Sequence, residues 1–198
     1  PDCRAFILLL ARRGIYEPRT FNAPVNGTSV GQPDAPVRVD VWEDFQCPAC
    51  AEYSETIEAR IIAEYVESGQ VLYTYHFFPF LDGADYPEAG ASRLHYISSA
   101  TGPGESDQSS NAAMCAAEQG RFWDYHDVLY QNWNGENRGA FADVRLILFA
   151  EDIGLDMNAF QRCFRENRYE AVIQADFEAG IQRAILGTPT VFVNDVLV

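Results

Sequence analysis

The alternation of apolar and polar residues predicts one strand–helix–strand unit near the start of the chain. Residues 37–42 alternate over β-branched positions, as a half-buried strand does. Apolar residues then recur every three or four positions from 50 to 65, which predicts a helix over 48–68. Residues 71–80 are rich in aromatic and β-branched residues and predict a second strand. Such a βαβ unit pairs its two strands in parallel.

The remainder of the chain predicts loops, helices and a hairpin. Residues 20–36 and most of 81–110 are rich in turn-forming residues. We expect a short helix or terminal segment at Ala5–Leu10 and a short helix near 93–98. Helical periodicity predicts five further helices, at 111–119, 121–132, 141–153, 156–166 and 168–185. A strand over 190–193 and an Asn194-Asp195 turn predict a hairpin, within which the sequence stops.

The charge of the chain excludes several kinds of chemistry. Its 14 basic residues are all arginine, against 29 acidic residues, which gives a net charge of −15. Without lysine there is neither a Walker-type phosphate-binding loop nor a Schiff base. An acidic chain with no basic stripe repels polyphosphates, so we expect no nucleic-acid partner.

The strongest chemical signal is the sequence Cys47-Pro48-Ala49-Cys50 between the first strand and the helix. Cys47 falls at the N-cap, and Pro48 falls at the first helical position, where its missing N–H has no cost. The N–H groups of Ala49 and Cys50 and the helix dipole favour a thiolate at the N-cap. Cys50 lies one turn further on the same face. We therefore expect Cys47 to be an exposed nucleophile and Cys50 a more buried resolving thiol.

Nearby acidic residues oppose this effect. Residues 37–80 contain eight acidic residues and two arginines, a balance of −6, and negative charge raises the pKa of a thiol. We expect the pKa of Cys47 to lie below that of a free thiol without reaching the lowest known values. The alternatives are a static disulfide and half of a zinc site. The other cysteines and histidines lack ligand spacing, so we expect neither a metal nor a cofactor.

Three segments in this order resemble the DsbA-like thiol–disulfide oxidoreductases, in particular the BdbD-type branch. They are APVRVDVWEDFQCPACAEY, GRFWDYHD and GTPTVFVND, and the resemblance runs from about residue 34 to residue 198. It implies an α/β thioredoxin fold with a helical insertion. Residues 1–33 would be an N-terminal extension, 34–80 and 186–198 the thioredoxin-fold parts, and 81–185 the mainly helical insertion, its last helix packing on the sheet. The family's closing helix after the hairpin is absent, so we expect an incomplete C-terminal end.

The resemblance also implies roles for residues outside the cysteine motif. It implies a cis peptide bond at Thr188–Pro189 that faces the two cysteines and pairs with an extended substrate peptide. The family often has a buried acid six residues before the first cysteine, where this chain has Val41. Glu43 or a water molecule is then the candidate proton relay for the resolving thiol.

The other cysteines and aromatic residues allow several interpretations. Cys115 and Cys163 are interpreted as a structural disulfide within the insertion, with a second redox centre or two buried thiols as alternatives. Cys3 is free or forms an intermolecular link. We expect His126 to be a packing residue, and the two aromatic residues that flank the motif to form either a substrate rim or core, namely Phe45 and Tyr53.

The cysteine motif predicts a protein disulfide oxidoreductase, and the resemblance implies a disulfide-forming oxidase. Its partners would be reduced or misoxidised protein substrates and a membrane redox partner, and the resemblance favours an extracytoplasmic location (the periplasm or the outer face of the membrane). A reductase or isomerase on the same fold is the nearer alternative. A non-catalytic peptide-binding module is the more distant one.

Overall fold

The computed structural model describes residue 16 and residues 19–82 and 104–198 of the chain. Within these residues one six-stranded mixed sheet is surrounded by six helices and one short 3₁₀ turn at Phe80–Asp82. The strands are β1 (Val25–Asn26), β2 (Ser29–Val30), β3 (Val37–Glu43), β4 (Val71–Phe77), β5 (Thr190–Val193) and β6 (Val196–Leu197). The predicted helices at Ala5–Leu10 and 93–98, and Cys3, lie outside the described residues.

The first helix, α1, spans residues 48–66 and alternates between α-helical and π-helical turns. The α-helical turns are Pro48–Tyr53 and Ala59–Ile61, and the π-helical turns are Ser54–Glu58 and Ile62–Val66. The others are regular helices: α2 (Glu105–Ala117), α3 (Phe122–Gln131), α4 (Asp143–Asp152), α5 (Met157–Arg165) and α6 (Glu170–Gln182).

The sheet has the order β1-β2-β4-β3-β5-β6. Strands β3 and β4 pair in parallel from Val37 opposite Val71 to Glu43 opposite Phe77, which confirms the predicted βαβ unit. Strand β5 pairs antiparallel with the other side of β3 and turns into β6, as the hairpin prediction required. The prediction of a loop over 20–36 is wrong in part, because β1 and β2 form a hairpin that pairs with β4. Two-residue strands are too short to show an alternating pattern.

The π-helical turns change which side of α1 is buried. The sequence pattern placed Ile57 and Tyr65 on the inner face, but both are about half exposed. A π turn contains more residues than an α turn, so the buried positions recur every four residues instead. They are Cys50, Ser54, Glu58, Ile62 and Val66, and Tyr53 is buried beside Ser54. A carboxylate on the motif helix therefore points into the core.

The two faces of the sheet carry different helices. Alternation along β3 turns Glu43 towards α1 and α3, where Tyr130 contacts it, and turns Trp42 towards α6, where its indole N–H donates to the Asp176 carbonyl at 3.3 Å. Gly180 allows α6 to approach closely, since a Cβ there would lie 2.7 Å from the Phe78 ring. Both faces of the sheet at the end of β3 are therefore covered.

Helix α2 begins at Glu105, six residues before the predicted start. Its first turn contains no capping side chain of its own, and Asp82 supplies the cap from a distant part of the chain. The Asp82 carboxylate accepts the N–H groups of Ser106 and Asp107 at 2.9 and 2.7 Å. A long-range cap leaves no local sequence signal, which explains the error.

Candidate active site

The two motif cysteines lie at the amino end of α1, directly after β3. Cys47 is the N-cap residue with an extended backbone (φ −73°, ψ 122°), and Pro48 occupies the first helical turn, as predicted. Both thiols are free, and Cys50 is fully buried. The expectation that Cys47 is exposed is wrong, because only 5% of its surface is accessible. Its Sγ atom lies beneath the loop that precedes β5, 3.3 Å from the Thr188 carbonyl oxygen.

The local environment lowers the pKa of the Cys47 thiol to about 6. The largest cause is a hydrogen bond from the Cys50 thiol, which burial opposes; the Thr188 side chain and the amides of Cys50 and Ala49 lower it further. These amides act through their positive potential, since neither makes a hydrogen bond of good geometry with the sulfur. A pKa of about 6 makes roughly nine-tenths of Cys47 thiolate at pH 7.

The second thiol has the opposite character. Burial, the hydrogen bond that Cys50 gives to Cys47, and the nearby charge of Glu43 all raise the pKa of Cys50 well above the usual thiol value. The pair therefore contains one thiolate that is ready to react and one thiol that needs a proton acceptor.

The loop before β5 covers Cys47 at the amino end of α1. Its Thr188–Pro189 peptide bond is cis, and Thr190 at the start of β5 pairs with Trp42 of β3. The Thr190 hydroxyl donates to the Gly187 carbonyl at 2.6 Å and fixes the bend. Because β5 neighbours β3, this pairing brings the loop against the amino end of α1. The structure thus places Thr188 and Pro189 beside the cysteines.

Glu43 is the acidic group next to the buried thiol. It is the last residue of β3, is buried, and accepts a hydrogen bond from the Tyr130 hydroxyl at 2.9 Å. Burial is the main cause that raises the pKa of Glu43 well above the usual carboxyl value, followed by the charge of Glu58. The adjacent Cys50 thiol lowers that pKa in part. The position that the family uses, Val41, is fully buried and apolar.

A polar network that the sequence analysis missed holds the segment before Cys47. Asp44 accepts the Gln46 N–H at 2.8 Å and the Ser106 hydroxyl at 2.7 Å. The Trp133 indole N–H donates to the Gln46 carbonyl at 2.6 Å. These contacts tie the motif to α2 and to the loop after α3. The signal in the sequence was an acidic residue three positions before the cysteine, but its side-chain partner Ser106 is 62 residues away.

The remaining predicted residues have structural positions. Cys115 and Cys163 form a disulfide that joins α2 to α5, with Cα atoms 5.8 Å apart. Phe45 and Tyr53 are buried, so they belong to the core and not to a substrate rim. His126 is fully buried among aromatic rings, as a packing residue would be.

Two features are absent from the residues that the structure describes. In those ranges no group of three or more His, Cys, Asp or Glu side chains is arranged to bind a metal ion. Among the same residues no helix combines the length and the apolar character that a membrane span needs.

Comparison with known sequences relates the chain to two kinds of protein. It is 30% identical to the Na⁺/H⁺ antiporter NhaA 3 of Salinispora tropica over 98% of its own length, but spans only 26% of that antiporter. It is 25% identical to a probable disulfide bond formation protein D of Bacillus anthracis, with 84% of this chain and 69% of that protein covered. The chain thus spans about a quarter of the antiporter and about two thirds of the disulfide bond formation protein.

Comparison with solved structures gives the same fold. BdbD from Bacillus subtilis, in its oxidised form, superposes with a TM-score of 0.68 and 17% identity over 94% of this chain and 90% of that one. The thiol–disulfide oxidoreductase MdbA of Corynebacterium diphtheriae superposes with a TM-score of 0.67 and 20% identity, covering 92% and 90%. The predicted thioredoxin fold with a helical insertion, and the resemblance to the DsbA-like group, are confirmed. The thioredoxin family's sequence model matches residues 24–198, and the chain belongs to that family.

Proposed function

We propose that this chain is a thiol–disulfide oxidoreductase that forms disulfide bonds in proteins through Cys47 and Cys50. The observation that carries the proposal is the contrast between the two thiols. Cys47 has a pKa of about 6 at the amino end of a helix, and Cys50 is buried with a raised pKa. A stabilised thiolate is a good leaving group, which is what a disulfide donor needs from its first cysteine.

In the oxidising direction the reaction has two exchanges. A substrate thiolate attacks Sγ of Cys47 in the Cys47–Cys50 disulfide; a mixed disulfide forms and Cys50 leaves with the electron pair. A second substrate thiolate then attacks the substrate sulfur of the mixed disulfide, and Cys47 leaves as the thiolate. Two substrate thiols become one disulfide, and the cysteine pair gains the two electrons.

Glu43 is the proposed proton relay for Cys50. The raised pKa of Glu43 favours its protonated form, and the carboxyl would give its proton to Cys50 when that sulfur leaves. In the reverse direction the Glu43 carboxylate accepts the proton of Cys50. This role is consistent with the buried position of Glu43 beside the thiol.

The cis-proline loop is the proposed binding site for the substrate peptide. The backbone around Thr188 and Pro189 lies over Cys47, so an extended peptide that pairs with it would present its cysteine to the nucleophile. We place the reaction outside the cytoplasm, where newly formed disulfides persist, and expect a membrane redox partner that reoxidises the pair.

The equilibrium redox potential of the Cys47–Cys50 pair tests the proposal. It is measured in glutathione buffers by mass shift after alkylation. A value near the DsbA end of the range, about −120 mV, supports a disulfide donor, and a value near −270 mV indicates a reductase instead. A peptide-binding module would show no reversible couple and would keep its binding in Cys47→Ser.

The antiporter relatives favour a second candidate function, which is disulfide exchange on a membrane transporter. A domain similar to nearly all of this chain occurs within those antiporters. A Cys50→Ser variant cannot resolve its mixed disulfide, so it traps the partner on Cys47. Mass spectrometry of the trapped peptides separates the candidates, because transporter peptides favour this second function and secreted proteins favour the general oxidase.

A further inference from the structure

The hydroxyl of Tyr130 reaches the cysteine site from the helical insertion. Tyr130 lies near the end of α3 and is buried, and its hydroxyl donates to Oε2 of Glu43 at 2.9 Å. The other carboxyl oxygen of Glu43, Oε1, has no hydrogen-bond partner within the part of the chain that the structure describes. Tyr130 is therefore the group placed to stabilise a negative charge on Glu43.

Packing fixes the position of this hydroxyl. The Tyr130 ring lies 5.2 Å from the ring of Phe45 and 4.8 Å from that of His126, measured between ring centroids. Three residues further along the chain, the Trp133 indole N–H donates to the Gln46 carbonyl at 2.6 Å. Two hydrogen bonds thus attach the end of α3 to the segment that leads into the cysteine motif, so the insertion sets where the donor lies.

The hydrogen bond favours one protonation state of the acid. A buried carboxyl group ionises at a high cost unless a donor replaces the water that it has lost. Because a hydrogen bond to an ionised group is stronger than one to a neutral group, the Tyr130 hydroxyl stabilises the carboxylate form of Glu43 over the protonated form. It lowers the pKa of Glu43 against the larger, opposite effect of burial. A carboxylate is then available to the adjacent Cys50 at a lower pH.

We propose that Tyr130 is a positioning residue for the resolving step of Cys50: its hydroxyl holds Glu43 in the carboxylate form that accepts the Cys50 proton. The inference rests on the proposed function of the cysteine pair and adds to it a residue of the insertion. In this step the Glu43 carboxylate takes the proton of Cys50, and Sγ of Cys50 attacks Sγ of Cys47 in a mixed disulfide. The Cys47–Cys50 bond forms, the bond from Cys47 to the bound thiol breaks, and that sulfur leaves with the electron pair as a thiolate.

Other ionisable groups also face Glu43, so the experiment compares matched variants in which these groups stay the same. They are Cys47, Cys50, Tyr53 and Glu58 of α1, with Arg19 paired to Glu58, Tyr73 and Tyr75 of β4, and His126 of α3, which contacts the Tyr130 ring.

The test follows the two phases of oxidation by the aromatic disulfide dithiobis-nitrobenzoate in a Cys3→Ser background. Cys47 attacks the reagent and releases one thionitrobenzoate; Cys50 then attacks Cys47 and releases the second. The absorbance of the released thiolate gives both rates as a function of pH. The second phase reports proton transfer from Cys50, and the first phase is an internal control for Cys47.

Replacement of Tyr130 by phenylalanine removes the donor and keeps the ring. We expect Y130F to move the pH midpoint of the second phase up by about one unit, which makes this phase about ten times slower at a fixed pH below the midpoint. The first phase should not change. The matched control is Y125F, because Tyr125 is fully buried on the same helix and donates to the Leu146 carbonyl at 2.7 Å instead. It should change neither phase.

The dependence on Glu43 separates positioning from a loss of structure. In an E43Q background the side chain has no carboxylate to stabilise, so Y130F should add no further shift. An unchanged or lowered midpoint in folded Y130F, or a full upward shift that persists in E43Q, would overturn the role of Tyr130. Failure of the proposed function gives a different result, namely no second phase even in the chain with Tyr130 and Glu43 intact.

A second variant decides the case if circular dichroism shows that Y130F is unfolded. Site-specific replacement of Tyr130 by 3-fluorotyrosine keeps the ring and the hydroxyl, and the electron-withdrawing fluorine makes that hydroxyl a stronger donor. The midpoint of the second phase should therefore move down. An unchanged midpoint in this variant would refute the inference.

Discussion

Removal of the Cys50 thiol tests what makes Cys47 reactive. The hydrogen bond from Cys50 is the largest cause of the low pKa of Cys47, so Cys50→Ala should raise that pKa from about 6. A hydrogen bond to a charged group contributes about 1.5–3 kcal/mol. Since one pKa unit corresponds to about 1.4 kcal/mol, the expected rise is about one to two units. The midpoint of Cys47 ionisation should therefore lie between about 7 and 8 in the variant.

The assay is the pH dependence of alkylation by iodoacetamide, with Cys47 and Cys3 quantified separately by peptide mass spectrometry. Cys50→Ser is the matched control, because its hydroxyl still donates to the thiolate and should keep the midpoint close to the wild-type value. A Cys50→Ala midpoint that stays near 6 would refute the reasoning. It would assign the low pKa to the amides at the amino end of α1 and to the Thr188 side chain.

Three further predictions concern stability. Replacement of Cys115 and Cys163 by alanine opens a loop of 48 residues and should cost about 4 kcal/mol in the chain-entropy account, a fall of about 8–16 °C in Tm by calorimetry. Contacts with two carboxylates raise the pKa of His76 from 6.5 to about 9 against the effect of burial. The contribution of His76 to the stability of the folded protein is therefore complete below about pH 6.5 and is lost as the pH rises through about 9. Over that pH range the free energy of unfolding, measured with urea, should fall by about 3 kcal/mol, and this fall should be absent in His76→Gln. Gly180→Ala gains about 1 kcal/mol of helix propensity but places a Cβ 2.7 Å from the Phe78 ring. Because overpacking costs about 1–3 kcal/mol, urea unfolding should show a net loss of stability.

The parts of the fold that depend on local pattern could be predicted from the sequence. The βαβ unit, the helix that starts at Pro48 and the final hairpin each have a periodicity or turn signal within a few residues. The parts that depend on distant partners could not. The start of α2 depends on Asp82, and the pairing of β1 and β2 depends on the edge of β4.

The candidate site shows the same division. The cysteine pair and its place at a helix N-terminus follow from four consecutive residues. The burial of Cys47 could not be predicted, because it depends on a loop that begins 140 residues later in the chain, and Glu58 was missed because the π-helical turns rotate it into the core. An ideal helix of 3.6 residues per turn places Ile57 there instead. The departure from regular geometry thus turns the Glu58 carboxylate into the core.

The acidic residues around the motif act less on Cys47 than their number suggests, because distance and solvent decide their effect. An exposed charge about 10 Å away contributes about 0.4 kcal/mol in water before salt screens it. Four of the eight acids are exposed, namely Glu52, Glu55, Glu64 and Glu67. Asp40, Asp44 and Glu58 each have their own hydrogen-bond donors. Glu43 is the acid that acts directly on the pair, and it raises the pKa of Cys50. Short-range donors worth about 1.5–3 kcal/mol each therefore decide the ionisation of Cys47. Thr188 lowers the pKa of both thiols, whereas the charge of Glu43 acts mainly on Cys50.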